Sequence, residues 1–296
     1  MSIRPRTKAE LFLLSVTLIW GTTFVLTKIV LEHVSPFVYI ALRFGIASVL
    51  FGSLFPRRIL SLKKDVVVKG GILGLLLVSG FALQTVGLQY TTASKSAFIT
   101  GMLVVFTPVC QLIIERKPPK VGNVLGVLLV SAGLYFLTSP EGSSLNIGDA
   151  MTLGCALTFA LYIVYLDLFG KEHDSAQLTF MQFISSTVVG VMLAVGLESP
   201  VLKINTTFLA VLAYLAIFAT IIAMYVQTRY QKDTTPTRSA VIFSAEPVIA
   251  ALFAYWVIDE RLGMLGVVGG GMIVAGVLVS ELSDYFINSG KVRDQA

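Results

Sequence analysis

Charged side chains are scarce in this 296-residue sequence, in which Asp, Glu, Lys and Arg together make up 13% of the residues. A typical soluble domain carries about 25% charged residues. Hydrophobic residues make up 55% of the chain, and the mean hydropathy is +0.84. The shortage of charge therefore excludes an ordinary soluble domain and indicates a protein with many membrane-spanning segments.

Cysteine and histidine are also rare, with two of each. Cys110 and Cys155 fall inside apolar runs and form no CxxC pair, so we interpret them as small core residues. His33 and His173 lie in predicted loops on opposite sides of a membrane and cannot share a metal ion. The sequence contains no HExxH or GxSxG motif and no paired acidic residues within an apolar run. We therefore predict a protein that is not an enzyme, with no catalytic residue, no metal site and no cofactor.

Long apolar runs are abundant. Ten of them approach the roughly 20 residues that an α-helix needs to cross a bilayer, and the connections between them are too short for a soluble domain. No small-residue cleavage site follows the first run, so we interpret it as a helix rather than a signal peptide. The sequence predicts an all-α integral membrane protein with ten transmembrane helices, numbered helix 1 to helix 10, at 11–30, 37–55, 66–88, 97–114, 121–137, 151–169, 178–197, 208–226, 241–258 and 265–282.

Basic residues are distributed unevenly between the two sides of these helices. With a cytoplasmic N-terminus, 17 of the 22 Lys and Arg residues fall on the cytoplasmic side. Two more, Lys28 and Arg43, fall within helices, and the opposite side holds only Lys95, Lys203 and Arg261. This bias predicts that both termini are cytoplasmic and that the chain is a multi-pass protein of the plasma (inner) membrane. It also accounts for the net charge of +5, so we predict no nucleic-acid partner.

An internal repeat runs through the chain at a constant shift of 143 residues. The matching pairs include Gln84-Thr85 with Gln227-Thr228, Thr91-Thr92 with Thr234-Thr235, Ser96-Ala97 with Ser239-Ala240, and Gly126 and Gly133 with Gly269 and Gly276. The matches predict two units of five helices each, at residues 1–142 and 143–296. Because five is an odd number, the second unit starts from the opposite side of the membrane and the repeats are inverted.

Helix 9 carries Glu246 and Pro247 side by side within its apolar run. A carboxylate in hydrocarbon is costly and is usually functional or paired, and proline removes one backbone donor. Glu246 is either a proton-sensitive element of a transport cycle or a static hydrogen-bond partner of a neighbouring helix. Pro108 in helix 4 lies about one helical turn from the position equivalent to Pro247, so we expect unequal kinks. Both prolines are candidates for gating, and packing kinks are the alternative.

Each repeat contains a series of short motifs in a characteristic order. The first repeat has Trp20-Gly21-Thr22-Thr23-Phe24, Lys28, Pro36, Arg43-Phe44 and the run SAFITGMLVVFTP. The second has Gly148-Asp149, Ala160-Leu161-Tyr162, Glu246-Pro247-Val248 and Asp259-Glu260-Arg261. By these motifs, the two repeats resemble the two EamA domains of the drug/metabolite transporter superfamily.

The resemblance covers essentially the whole chain. It implies an EamA-type permease that exports amino acids or related compounds by alternating access through a central cavity. The alternative is a proton-coupled exporter of drug-like or other metabolites. A channel fits less well, because the sequence has neither rings of charge nor filter-like carbonyl loops. The implied partners are a small-molecule substrate, the lipid bilayer and protons.

Polar and aromatic residues within the helices are the candidates for substrate contact. Gln84 and Gln227 occupy equivalent places and offer a donor and an acceptor, although a hydrogen bond between helices explains them equally well. We expect Lys28 and Arg43 to extend toward the membrane interface, with binding of an anionic substrate group as the alternative. Helices 1, 3, 4, 6, 8 and 9 are predicted to line the cavity. The full candidate set is Trp20, Thr23, Phe24, Gln84, Thr100, Tyr162, Gln227, Ser244 and Glu246, with hydrogen bonds to backbone carbonyls as the alternative for Thr100 and Ser244 and packing for the aromatic residues.

Overall fold

The computed structural model describes residues 4–138, 146–258 and 263–293, which fold into ten helical units joined by short loops. Helix 1 consists of Pro5–Gly21 and Thr23–Leu31, helix 2 of Pro36–Leu54, helix 3 of Lys64–Gly87, helix 4 of Ala93–Gly101 and Leu103–Glu115, and helix 5 of Val121–Thr138. Helix 6 is Ile147–Glu172, helix 7 is Ser175–Leu197, helix 8 combines Thr206–Ala216, the π-helical Ile217–Ile222 and Ala223–Tyr230, helix 9 is Pro236–Phe243 and Glu246–Ile258, and helix 10 is Met264–Arg293. Short helical turns occur at Pro56–Ile59 and Gln231–Asp233.

Eight of these units are long and apolar enough to cross a membrane. Helices 5 and 10 contribute shorter apolar stretches, Val121–Phe136 and Met264–Ser280. The prediction of a multi-pass, all-helical membrane protein is therefore confirmed, whereas spanning by all ten helices and the orientation of the termini stay predictions. The predicted boundary between the repeats, at residues 142 and 143, lies outside the described residues. So does the Asp259-Glu260-Arg261 motif.

Helices 4 and 9 are interrupted at equivalent places. Helix 4 breaks at Met102, whose backbone N–H donates to Ile99 O over 3.1 Å. Helix 9 breaks at Ser244 and Ala245, and the Ala245 N–H donates to Ile242 O over 3.2 Å. The donor and acceptor residues of the second hydrogen bond each lie 143 positions after those of the first. Both breaks are therefore the same tightened turn, with a bond from residue i to residue i−3.

Pro108 does not mark the break in helix 4. It lies six residues beyond Met102, inside the continuous helix Leu103–Glu115. The unequal kinks expected from the positions of the two prolines are therefore not observed. Only Pro247, which follows its break directly, coincides with an interruption.

Helices 5 and 10 approach each other closely at glycines. A Cβ atom on Gly126 would lie 2.8 Å from the backbone oxygen of Gly276, and one on Gly133 would lie 2.7 Å from that of Gly269. In the repeat, Gly126 corresponds to Gly269, and Gly133 corresponds to Gly276, at the shift of 143 residues. The contact between Gly126 and Gly276 therefore corresponds to the contact between Gly269 and Gly133. Such an exchange is what two-fold symmetry between equivalent elements produces.

Candidate functional site

A cavity opens between the helices near the breaks in helices 1, 4 and 9. Its empty space is ≈ 550 Å³, counting the part open to solvent. Helices 1, 3, 4, 6, 8 and 9 contribute to it as expected, and helix 2 adds one residue. The lining consists of Trp20, Thr23, Arg43, Leu77, Phe81, Gln84, Thr100, Leu103, Phe159, Tyr162, Ile163, Met224, Gln227, Phe243 and Glu246.

The π-helical turn in helix 8 organises one wall of the cavity. A π turn displaces backbone hydrogen bonds from the α-helical pattern, and here the carbonyl of Ala219 accepts from two side chains. Trp20 donates to it from Nε1 over 3.0 Å, and Arg43 donates from Nη2 over 3.3 Å. Arg43 also donates from Nε to Thr220 Oγ1 over 2.6 Å and from Nη1 to Tyr39 over 2.9 Å. These bonds fix the guanidinium at the cavity wall.

Arg43 does not extend to the membrane interface, contrary to our expectation. Its side chain is 2% exposed and stacks on the ring of Phe81 with 4.6 Å between Cζ and the ring centroid. The reason is that its partners, the Ala219 carbonyl, the Thr220 and Tyr39 hydroxyl groups and the Phe81 ring, lie inside the bundle and hold the guanidinium there. Within the described residues, no carboxylate lies within ion-pair distance of Arg43. Lys28, by contrast, is exposed, and its extension to the interface stays a prediction.

Glu246 reaches the cavity from the break in helix 9. Helix 9 packs tightly on helix 1 here, because a Cβ on Gly21 would lie 3.1 Å from the backbone oxygen of Glu246 and 2.5 Å from Cβ of Ile249. Over the described ranges, the Glu246 carboxylate forms neither a hydrogen bond nor an ion pair. Among the described residues, the cavity is therefore lined by a guanidinium, that of Arg43, and a carboxyl group, that of Glu246, that form no ion pair with each other.

The two equivalent glutamines both line the cavity and also form hydrogen bonds to the protein. Gln84 donates from Nε2 to Thr100 Oγ1 over 3.1 Å. Gln227 donates from Nε2 to Gln231 Oε1 over 2.9 Å, while its own Oε1 is buried and has no partner among the described residues. The geometry is thus compatible with both interpretations made from the sequence, contact with the substrate and a hydrogen bond within the protein.

Three further candidates differ in position. Tyr162 lines the cavity and donates to Gln182 Oε1 over 2.7 Å, and Thr23 lines it and donates to Trp20 O over 2.8 Å. Phe24 is instead buried in a separate cluster with Ala97 and Ala250.

Ser244 does not line the cavity either, because it is fully buried and donates to Val241 O. Seven of the nine candidates thus lie together.

Two polar clusters lie at opposite ends of the bundle. At the end where helices 4 and 6 begin, Asp149 is contacted by Lys95 Nζ at 2.7 Å and by Thr91 Oγ1 at 2.9 Å. We name Thr91, Lys95 and Asp149 the Asp149 cluster.

At the end where helices 1 and 9 begin, Glu10 is contacted by Arg238 Nε at 2.9 Å and by Thr234 Oγ1 at 3.2 Å. Thr234, Arg238 and Glu10 form the Glu10 cluster. The shift of 143 relates Thr91 to Thr234 and Lys95 to Arg238.

Sequence reasoning missed the roles of several of these residues. Lys95 and Arg238 occupy the same place in the repeated phrases TTASKSAFI and TTPTRSAVI, and that correspondence was a usable signal. Phe81 and Phe159 also line the cavity, but nothing in the sequence distinguishes them from ordinary packing residues. Among the described residues, no group of three or more His, Cys, Asp or Glu side chains could hold a metal ion.

Comparison with known proteins gives one consistent family. The EamA-like transporter family matches at residues 7–139 and 146–282. Two proteins of Archaeoglobus fulgidus, each described as an uncharacterized transporter, are similar: one is 35% identical over 94% of this chain and 87% of its own length, the other 27% identical over 94% and 99%. The uncharacterized transporter YoaV of Bacillus subtilis is 23% identical over 93% and 97%.

A solved crystal structure has the same fold. Its TM-score is 0.79 at 20% sequence identity, covering 95% of this chain and 99% of that one.

Proposed function

Because this chain belongs to the EamA-like transporter family, we propose that it exports amino acids or related small metabolites by alternating access through the central cavity. The observation that carries the proposal is that one cavity is lined by the guanidinium of Arg43 and the carboxyl group of Glu246, which form no ion pair within the described residues. A zwitterion brings one group of each sign, and it would satisfy both.

The remaining donors of Arg43 suit a carboxylate. A guanidinium has five N–H groups, and three hydrogen bonds to Thr220, Tyr39 and Ala219 leave two of them, one on each terminal nitrogen. A guanidinium is well suited to recognising a carboxylate. On this proposal, Arg43 holds the substrate carboxylate and Glu246 its ammonium group.

Aromatic rings surround these two charges. Trp20 and Phe243 pack with ring centroids 5.3 Å apart, and Phe81 and Phe159 with centroids 5.6 Å apart. All four line the cavity. Apolar contact of this kind supports an amino acid with an apolar or aromatic side chain, because aromatic surfaces contribute large buried area.

The inverted-repeat architecture completes the proposal. The exchanged glycine contacts of helices 5 and 10, together with the family matches at 7–139 and 146–282, support two units at residues 1–142 and 143–296. The positive-inside bias supports cytoplasmic termini in the plasma (inner) membrane.

The two end clusters supply a means of alternating access. Each cluster ties the first turn of helix 4 or helix 9 to the helix that begins beside it. In the cycle that we propose, one cluster opens while the other stays closed, so that the cavity faces one side at a time. The breaks at Met102 and beside Pro247 let the first half of each helix move relative to the second. Pro108, inside the second half of helix 4, has a packing role in this scheme.

A second candidate is a proton-coupled exporter of drug-like metabolites, favoured by the Glu246 carboxylate that has no partner among the described residues. An isolated carboxylate that alternates between a dry and a wet environment takes up and releases a proton. Substrate choice separates the two candidates.

Thermal unfolding of the purified protein with a panel of L-amino acids tests the proposal, because a ligand that binds the folded state raises the unfolding midpoint. We expect apolar L-amino acids to raise the midpoint in wild type and to lose that effect in Arg43→Met. Stabilisation by apolar organic cations, and by no amino acid, would support the second candidate instead.

A further inference from the structure

Gln227 lines the cavity, and its amide nitrogen donates to Gln231 within the protein. The residue is 1% exposed, and Oε1 is buried with no partner in the described part of the chain. Buried polar atoms nearly always have a partner. An amide oxygen that lacks a partner among the described residues, on a side chain that lines the cavity, marks Gln227 as an acceptor for a donor group of a bound molecule.

The orientation of this amide follows from a chain of two hydrogen bonds. Gln231, which is fully buried, donates from Nε2 to the backbone oxygen of Ile163 over 2.7 Å. A backbone carbonyl can only accept, so the NH₂ group of Gln231 must face Ile163. Oε1 of Gln231 then faces Gln227, and Gln227 must turn its own NH₂ group toward it. Because this series of hydrogen bonds ends on the backbone carbonyl of Ile163, the oxygen and nitrogen of both glutamine amides can be told apart, which is often not possible.

The equivalent glutamine of the first repeat has no such constraint. Gln84 bonds to the Thr100 hydroxyl, which can donate or accept, so either end of the Gln84 amide fits. The residue equivalent to Gln231 is Leu88, which offers no hydrogen bond. The two halves of the cavity therefore differ: one glutamine can adapt, and the other is a fixed acceptor.

We propose that Gln231, although it does not line the cavity, is a specificity-determining positioning residue that holds Gln227 as an obligate hydrogen-bond acceptor for a donor group of the substrate. Glu246 lines the same cavity, so the donor that satisfies both groups is a substrate ammonium. This inference rests on the proposed amino-acid transport. According to this inference, Gln231 makes the protein prefer ligands that carry an ammonium group over ligands that lack one.

The test compares matched ligands that differ only in the ammonium group: L-phenylalanine with 3-phenylpropionate, and L-leucine with 4-methylpentanoate. Binding to the purified full-length protein is measured by calorimetry and by the shift in unfolding midpoint. We expect wild type to prefer the amino acid of each pair. In Gln231→Met, which removes the hydrogen bonds at similar volume, the Gln227 amide is free to turn, and the preference falls on the order of tenfold.

Two further variants separate positioning from stability. Gln231→Glu keeps an acceptor facing Gln227 Nε2, so we expect it to restore most of the preference even if it lowers the unfolding midpoint. Gln89→Met changes an exposed glutamine and should leave the preference at its wild-type value.

The outcomes distinguish this inference from the proposed function. If the amino acids bind and Gln231→Met discriminates as well as wild type, the role of Gln231 is refuted while the carrier function stands. If neither amino acid binds wild type, transport of apolar amino acids is refuted, and the inference falls with it.

Discussion

Nε of Arg238 lies 2.9 Å from Oε1 of Glu10 and ties helix 9 to helix 1, just as its counterpart in the repeat, Lys95, ties helix 4 to helix 6 through Asp149 at 2.7 Å. Both acids are largely buried, with side-chain exposures of 12% for Glu10 and 3% for Asp149. Removing one partner of a buried pair leaves an uncompensated charge and costs about 3–5 kcal/mol. A substitution in either cluster should therefore shift the balance between the closed and open states of that end.

Reversing one charge in the Asp149 cluster should stop transport. In Lys95→Asp the two carboxylates repel each other, so the end of the bundle where helices 4 and 6 begin cannot close. We expect transport to fall at least about tenfold in proteoliposomes, since a loss of about 1.4 kcal/mol corresponds to a factor of ten. The double variant Lys95→Asp with Asp149→Lys restores opposite charges and should recover part of the activity.

The control for charge reversal is Lys203→Asp, an exposed lysine that the positive-inside bias places on the same side. It should transport at the wild-type rate. If the double variant is as inactive as Lys95→Asp and equally well folded, the Asp149 cluster does not act as a gate.

Adding a methyl group where helices 5 and 10 touch should destabilise the protein. A Cβ on Gly276 would lie 2.8 Å from Val130 Cγ2 and 2.9 Å from Gly126 O, and overpacking typically costs 1–3 kcal/mol. Gly276→Ala should therefore lower the unfolding midpoint by several degrees. Gly271→Ala, in the same helix with nothing within 4 Å of its Cβ, should be neutral or slightly stabilising. Equal effects of the two variants would contradict the close packing described here.

Replacing Arg43 should affect both binding and the wall of the cavity. Arg43→Lys keeps the charge but cannot reproduce the fork that bonds Thr220 and Ala219, because a lysine is a compact point charge. We expect amino-acid binding to weaken at least about tenfold, as is typical when a hydrogen bond to a charged group is lost. Lys28→Met alters an exposed residue of the neighbouring helix and should bind as wild type does. Undiminished binding by Arg43→Lys would remove Arg43 from the site.

Glu246 should make binding of a zwitterion depend on pH. The ionised carboxylate attracts the substrate ammonium, and protonation at acid pH removes that attraction, so affinity in wild type should fall as the pH is lowered. Glu246→Gln keeps the shape and hydrogen bonding but cannot titrate, so its affinity should be lower and nearly independent of pH. Calorimetric titrations across the pH range provide the measurement. A pH profile for Glu246→Gln that matches wild type would leave Glu246 with a structural role only.

Hydropathy was sufficient to predict where the helices lie, because bilayer thickness and backbone hydrogen bonding leave few alternatives to a long apolar helix. The repeat also predicted that Gln84 and Gln227 lie in corresponding places, and both line the cavity. These features follow from local composition and from register, which the sequence contains directly.

Side-chain direction was less predictable. Arg43 turns inward to the Ala219 carbonyl and the Thr220 hydroxyl, which lie in the π-helical turn of helix 8. The sequence of residues 217–222 contains no signal that predicts this turn. The break at Met102 carries no proline, and only its correspondence with Ala245 in the repeat could have indicated it. Phe24 and Ser244 point away from the cavity because the rotation of each helix is set by its neighbours rather than by its own pattern.

Counterflow tests the central claim most directly. Purified protein is reconstituted into liposomes loaded with unlabelled L-leucine or L-phenylalanine, and the same amino acid, radiolabelled, is added outside at low concentration. A carrier with alternating access exchanges the two, so we predict a transient accumulation of label inside above its equilibrium level, and a much smaller one in Arg43→Met. Label that enters only to equilibrium, at a rate unaffected by the internal amino acid, would indicate a pore and contradict the account.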